Sequence, residues 1–501
     1  EFARDVGTRS VRRPVRSIGD GYQEPGWKHC NSRSRIVTDV PDETHDPARR
    51  SFVTSANDPL GDFPIQNLPF GIFSRSDDSK RCAGIAIGNH ILDLHAAFEH
   101  GIFPEDIPEN AVAESSLNAL FSLGRGPLRK LRKSISRALD AGTTGEATRQ
   151  RASDLLVAMS ECIMHRPTAV PNYTDFYAGI YHAKAAGALM TPENPLPANY
   201  KWIPIAYHGR ATSVQVGRGK VQRPVGQRPP LTDGGMPGFG ACERLDFELE
   251  MGFYLTGGNR QGRPIPVSRA NEQIAGYSLL NDWSARDIQR WEMYPLGPFL
   301  SKSFATSVSP WVVTADALVP FRISAMTRPD GDPQPLDYLL DEADQENGGL
   351  DVHLKVFLTT SKMRAANEVA VEILYSNARY LYWTPAQMVA HHTVNGCNLL
   401  PGDLIGTGTI SGPSDAELSS MLEFTRAGTR PVTLPNGESR GFLLDGDEIR
   451  FEGRCSRAGY APIGFGTCVG RIEASDLSPL GSFLPDNDLL SRFQPEPTSS
   501  A

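Results

Sequence analysis

The segment Leu245-Asp246-Phe247-Glu248-Leu249-Glu250-Met251-Gly252-Phe253-Tyr254-Leu255 places an apolar residue at every odd position and a carboxylate at three of the even ones. A period of two predicts a half-buried β-strand. Leu245, Phe247, Leu249, Met251, Phe253 and Leu255 then face a core, and Asp246, Glu248 and Glu250 share the opposite face. Side chains two apart on a strand are ~6.5 Å apart along its axis, close enough for flanking carboxylates to converge on one hard cation such as Ca²⁺ or Mg²⁺. Taken alone, an acidic alternating strand is more often a solvated sheet face. Two neighbouring segments shift the balance.

Ahead of it, Asn172 to Ala183 crowds Asp175, three tyrosines and His182 into a short span. Behind it, the apolar run Ile274 to Leu280 predicts a buried strand with Asp282 at its exit. Ser284 with Asp287 three residues on has the form of a capping box opening a helix, on which Arg286 and Gln289 share one face as i and i+3. Strand-end carboxylates, a helix-borne Arg and Gln and a nearby His together suit metal-assisted catalysis.

The 501 residues are enough for two or more domains, and no apolar run is long enough to span a bilayer. A net charge of −8 argues against a nucleic-acid partner while leaving room for a small anionic substrate in a local basic pocket. The seven cysteines are scattered and never in Cys-x-x-Cys spacing, which points to reduced thiols in a cytoplasmic protein. Residues 1–50, rich in Arg, Ser, Gly and Pro with little apolar periodicity, are expected to be a disordered extension, and 491–501 a flexible tail. Strand-like runs around Asn89-His90 predict a hairpin. Leu128, Leu131, Ile135 and Leu139 recur at helical spacing, with the basic residues between them read as a solvated face. Pro167 and Pro171 mark a boundary between a front domain, 52–168, and a mostly β catalytic domain, 171–490. Thr384-Pro385-Ala386-Gln387 carries a second helix start signal.

From about Phe52 to about Ile472 the chain resembles the fumarylacetoacetase family. The resemblance rests on Asp62 to Gly71, Tyr207-His208-Gly209-Arg210-Ala211, Pro295 to Thr306, His391 to Leu399 and Gly408 to Pro413, in that order, beside the segments above. It implies a mainly β fold with some α: a small SH3-like β-barrel in front, a larger β-roll carrying the site, and a homodimer. It further implies hydrolysis of a carbon–carbon bond in a β-diketo acid, with 4-fumarylacetoacetate and water giving fumarate and acetoacetate, the last step of tyrosine and phenylalanine catabolism. By this resemblance His182 is the base and Glu423 orients it; Arg286, Gln289 and Lys302 stabilise developing charge. Tyr177, Tyr207, Gln289 and Thr409 contact substrate. Asp175, Glu248, Glu250 and Asp282 ligate Ca²⁺, and Asp282, Lys302 and Thr306 belong to a Mg²⁺-associated site. The Gly-rich loop around Thr409 lacks a phosphate-binding signature and reads as a turn whose backbone approaches a carboxylate.

Two positions depart from the family pattern. Thr191 stands where an arginine is usual, and Met293, followed by Tyr294, stands where a substrate-contacting tyrosine is usual. A threonine cannot replace an arginine's charge-assisted clamp on a carboxylate. An acylpyruvate or related diketo-acid hydrolase, or a decarboxylase or isomerase on the same fold, is therefore the alternative among enzymes. A calcium-stabilised β-sandwich binding protein is the alternative outside them.

Overall fold

The acidic segment runs through the middle of the largest sheet. In the computed structural model, which describes residues 39–143 and 146–477, it is two strands, Leu245–Asp246 and Leu249–Leu255, not one. The longer piece pairs antiparallel with Ile274–Asp282 on one side and Leu404–Gly406 on the other. Outward from Leu404–Gly406 lie Tyr173–Phe176 and Ala206–Gly209; outward from Ile274–Asp282 lie Thr306–Val308 and Val214–Val216. A second sheet is ordered Val371–Asn377, His353–Thr359, Glu448–Cys455, Ile463–Glu473, Arg218–Gln222.

The alternation places its odd residues as expected. Leu245, Phe247, Leu249, Met251, Phe253 and Leu255 all enter one core with Leu354, Val356, Phe451 and Phe465 of the second sheet, and Phe247 meets Phe451 edge-on at 5.8 Å. The even face is not solvated, however, which corrects the half-buried expectation. Tyr254, Leu280, Val308 and Leu404 present a second apolar surface that packs against the front region, so the sheet is closed on both sides and every residue from Leu245 to Leu255 is buried. Carboxylates on that face are therefore interior groups that need partners.

The front region holds a five-stranded antiparallel sheet in the order Leu156–Ala158, His90–Asp93, Cys82–Ile87, Phe70–Arg75, Cys162–His165. The expected hairpin joins Cys82–Ile87 to His90–Asp93. Helix Arg125–Leu139 buries Leu128, Leu131, Ile135 and Leu139 as their spacing predicts. Its basic residues are not one solvated face: Lys130 and Arg137 are exposed, but Arg125 and Arg132 are buried. Arg132 donates to the carbonyls of Gln66 and Asn67 and to Thr44 Oγ1.

The contact to Thr44 also corrects the expected disorder up to residue 50. A 3₁₀ turn, Glu43–His45, is capped by Asp42; His45 Nε2 donates to the Asp316 carbonyl at 2.8 Å, and Gln66 Nε2 to the Asp46 carbonyl at 2.8 Å. Residues 42–50 are thus held by buried and partly buried hydrogen bonds that their polar composition does not reveal. The rest of the expected extension, residues 1–38, and the expected tail, 491–501, lie outside the described residues. Among the described residues, no helix is long and apolar enough to cross a membrane.

Candidate active site

Strand register brings three carboxylates together. Asp175 stands beside Gly406 on a parallel neighbour, Gly406 stands opposite Gly252, and Glu250 lies two residues before Gly252. Asp282 ends the next strand. One oxygen from each of Asp175, Glu250 and Asp282 lies within 4.8 Å of the others, and all three are buried. Gly406 makes this possible, because a Cβ there would meet Asp175 Oδ1 at 2.3 Å and Glu250 Oε2 at 3.2 Å. Gly408, at φ 76°, donates its N–H to Glu250 Oε2 at 3.0 Å and Asp175 Oδ1 at 3.3 Å. The Gly-rich turn does approach carboxylates, and they are the protein's own. Tyr173 Oη donates to Asp175 Oδ2 at 2.8 Å and Tyr207 Oη to Asp282 Oδ2 at 2.9 Å. Asp282 Oδ1 is buried without a hydrogen-bond partner among the described residues.

Burial, compounded by the charges of Asp175, Asp282 and Glu248, pushes the Glu250 carboxyl well above the usual carboxylate range. Burial also raises Asp175 and pushes Asp282 up to about 8, against the pull of Lys302. Glu248 stands outside this group of three. Its carboxylate accepts from Lys302 Nζ at 2.5 Å and Arg286 Nη1 at 2.8 Å, with His182 Nε2 at 3.6 Å. Burial alone would raise Glu248, but Lys302, Arg286 and His182 outweigh it and hold the carboxyl well below its ordinary value.

Lys302 directs its three N–H groups to Glu248, Asp282 (2.6 Å) and Ser284 Oγ (2.7 Å). Ser284 therefore caps no helix: its hydroxyl donates to the Asp282 carbonyl, and helix Arg286–Glu292 begins without a side-chain cap. Asp287 instead accepts from Glu243 N–H and Cys242 Sγ. Arg286 and Gln289 share one face as expected, Arg286 Nη1 donating to Gln289 Oε1 at 3.1 Å. Thr306 is buried opposite Asp282 in the adjoining strand.

His182 is buried in the first turn of helix Ile180–Met190. Its Nδ1 lies 2.8 Å from Glu423 Oε2, and the Tyr177 ring stands edge-on to the imidazole at 5.7 Å. Glu423, which has no apolar period around it to predict burial, lies inside in the short helix Met421–Phe424. Ser420 Oγ donates to it at 2.7 Å and Ser411 Oγ at 2.9 Å. Burial would raise its carboxyl, but His182 and the two serines hold it below the ordinary value. Thr409 is buried, with Oγ1 unpartnered among the described residues. Tyr207 is turned to the carboxylates, not away from them.

Gly406, Tyr173, Ser411, Ser420 and the partners of Asp246 escape sequence reasoning. Only Gly406, in its Gly-rich loop, carries a local signal. A model of the fumarylacetoacetate (FAA) hydrolase C-terminal region matches residues 172–473, and one of the fumarylacetoacetase N-terminal region matches 66–167. The chain belongs to the fumarylacetoacetase family. The fumarylacetoacetase of Homo sapiens is 44% identical over 430 residues, covering 84% of this chain and 98% of that protein. The fumarylacetoacetase of Arabidopsis thaliana is 43% identical over 433 residues, 85% of this chain and 99% of that protein. Among solved structures, a fumarylacetoacetate hydrolase from Exiguobacterium antarcticum aligns over 81% of this chain and 99% of that chain, at 16% identity and a TM-score of 0.44. Of the motif-bearing segments, Tyr207–Ala211, Pro295–Thr306 and Gly408–Pro413 bring Tyr207, Lys302, Thr306 and Gly408 to the buried carboxylates, whereas Asp62–Gly71 packs elsewhere, Asn67 Nδ2 donating to the Gly464 carbonyl.

Proposed function

We propose that the chain is a metal-dependent hydrolase that splits 4-fumarylacetoacetate with water into fumarate and acetoacetate, the last step of tyrosine and phenylalanine catabolism. The observation that carries this reading is the contact of His182 with Glu423 beside the carboxylate cluster. A calcium-binding module has no use for a buried base held by a buried carboxylate.

The donor set fits a hard divalent cation. Asp175, Asp246, Glu248, Glu250, Asp282 and Glu423 are buried together, with Lys302 and Arg286 as the permanent cations among them. The unpartnered Asp282 Oδ1 and the raised carboxyls of Asp175, Glu250 and Asp282 mark where positive charge is wanting. Those three residues would hold Ca²⁺ or Mg²⁺, with Glu248 and Thr306 alongside. When bound, such a cation polarises the diketone oxygens as a Lewis acid.

The side chains do the rest. The Glu423 carboxylate, 2.8 Å from Nδ1, favours the proton on that nitrogen and steadies the imidazolium, leaving Nε2 as the basic nitrogen, on the side of Glu248. Nε2 takes a proton from water as hydroxide adds to one carbonyl; the carbon–carbon bond breaks, its electrons leave with the other carbon as an enolate, and the imidazolium returns the proton to that carbon. Arg286 Nη2, buried and unpartnered among the described residues, supplies an N–H for charge developing on oxygen. Lys302 neutralises Glu248 and Asp282 and holds them in place. Tyr177, Gln289 and Thr409 are left to contact substrate. A small SH3-like barrel for residues 52–168, a β-roll for 171–490 and a cytoplasmic homodimer complete the reading. The exposed apolar run of Trp291, Met293, Tyr294, Leu296, Phe299 and Leu300 supports the dimer.

One observation favours a second substrate. Thr191 is exposed at the end of helix Ile180–Met190, its hydroxyl donating to the Gly187 and Asn194 carbonyls, and it supplies no cation for a substrate carboxylate. The deciding assay follows loss of diketone absorbance with fumarylacetoacetate and with acylpyruvates in parallel, before and after exhaustive chelation. Fumarylacetoacetate is expected to turn over faster, with activity lost on chelation and restored by Ca²⁺ or Mg²⁺. Faster acylpyruvate turnover would establish the second reading, and full activity in demonstrably metal-free protein would remove the cation.

A further inference from the structure

We infer that Asp246 is a positioning residue that holds the Arg286 guanidinium and the Glu423 carboxylate in fixed relation to each other. The inference rests on the hydrolytic reading above. Asp246 is fully buried at 0% exposure and lies on a separate short strand, Leu245–Asp246, ahead of the strand that carries Glu250. Its side chain accepts four hydrogen bonds. Oδ2 takes Arg286 Nε at 2.9 Å and Leu422 N–H at 2.9 Å; Oδ1 takes Met421 N–H at 2.7 Å and Phe247 N–H at 2.8 Å.

These bonds divide between two parts of the site. On one side, Asp246 fixes the Nε edge of Arg286 while Glu248 and Gln289 fix Nη1. A guanidinium is planar, so clamping two of its nitrogens sets its plane and presents the remaining one, Nη2, in a single direction. On the other side, Asp246 holds the amides of the two residues immediately before Glu423, the carboxylate 2.8 Å from His182. One carboxylate thus ties the donor for developing negative charge to the residue that orients the base. It contacts neither His182 nor the three converging carboxylates, so its effect on turnover must pass through Arg286 and Glu423.

Asp246→Asn keeps the volume but replaces one oxygen with an amide that cannot accept from Arg286 Nε or Leu422 N–H. In the full-length chain kcat for fumarylacetoacetate should fall about 10²-fold, the scale of a 1 Å misplacement, with KM changed no more than about threefold. In a Glu423→Gln background the same substitution should cost much less, because groups that act as a unit are not additive. A crystal structure of Asp246→Asn should show the His182–Glu423 contact lengthened or Arg286 turned. Should Asp246→Asn fail to fold, Asp246→Glu keeps the charge and both acceptor oxygens on a longer arm, which displaces Arg286 and Glu423, and should lower kcat more than KM. Unchanged kcat, full additivity with Glu423→Gln, or an unmoved Arg286 and Glu423 in the crystal would each overturn the role, as would an unaltered kcat in Asp246→Glu. Wild-type protein inert toward both diketo acids would sink the hydrolytic reading instead, and the crystallographic comparison would still judge Asp246.

Discussion

Asp175, Glu250 and Asp282 are buried like Glu248 and Glu423 in the same site, yet the first three have their proton affinity pushed up and the last two pushed down. Desolvation acts on all five in the same direction. What differs is the nearest neighbour: Glu248 has Lys302 and Arg286, and Glu423 has His182 and two serine hydroxyls, whereas Glu250 faces other carboxylates. Lys302 touches Glu248 and Asp282 about equally closely, but Asp282 also meets the charges of Asp175 and Glu248. The first set keeps raised carboxyls that a further positive charge would relieve, and the second is satisfied from within.

The contrast breaks most severely at Glu423. Glu423→Gln or His182→Ala should lower kcat by about 10²–10⁴-fold with the fold intact, the usual cost of losing a general base or its support; near-normal turnover in either would remove the dyad from the mechanism. Next, Glu248→Gln and Glu250→Gln should part company in denaturant titrations of chelated protein. Glu248→Gln strips a buried partner from Lys302 and Arg286 and should cost about 3 kcal/mol. Glu250→Gln relieves repulsion and should leave stability unchanged or raise it. Equal destabilisation by the two would erase the distinction between the sets.

A smaller effect appears with pH. The raised group titrates higher folded than unfolded, Asp282 at about 8 against 3.8, so between those values the folded protein binds more protons and its stability falls as pH rises. Glu248 and Glu423 act oppositely, contributing stability above the ordinary carboxylate range that is lost as pH falls below it. Thermal melts of chelated protein should therefore drop from pH 5 to pH 8, and added Ca²⁺ or Mg²⁺ should flatten that drop. A flat profile without metal would show the first set to be as well partnered as the second. Finally, Tyr173→Phe deletes the 2.8 Å bond to Asp175 and reports the charge of its acceptor. A loss of about 1 kcal/mol in chelated protein fits a protonated Asp175, whereas about 1.5–3 kcal/mol fits a carboxylate.

By itself the sequence determined what short-range periodicity and spacing can encode. The six odd residues of the acidic segment enter one core because a strand's side chains alternate whatever surrounds them. Arg286 meets Gln289 because residues three apart on a helix are neighbours, and Thr384 with Gln387 forms the capping box its spacing announces. Long-range pairing decided the rest. Ser284 has the local form of a helix cap, but Lys302, eighteen residues on, uses its hydroxyl. Asp246 stays apart from the converging carboxylates because amides at Met421 and Leu422 reach it from a distant part of the chain. Glu423 is buried by Ser411 and by its contact with His182, neither of which any local pattern predicts. Gly406 must be a glycine only because two carboxylates from other strands occupy the space a side chain would take. Local rules set which way a side chain points along its own strand or helix; what it meets there, and hence its charge and its chemistry, depends on strands brought together from far along the chain.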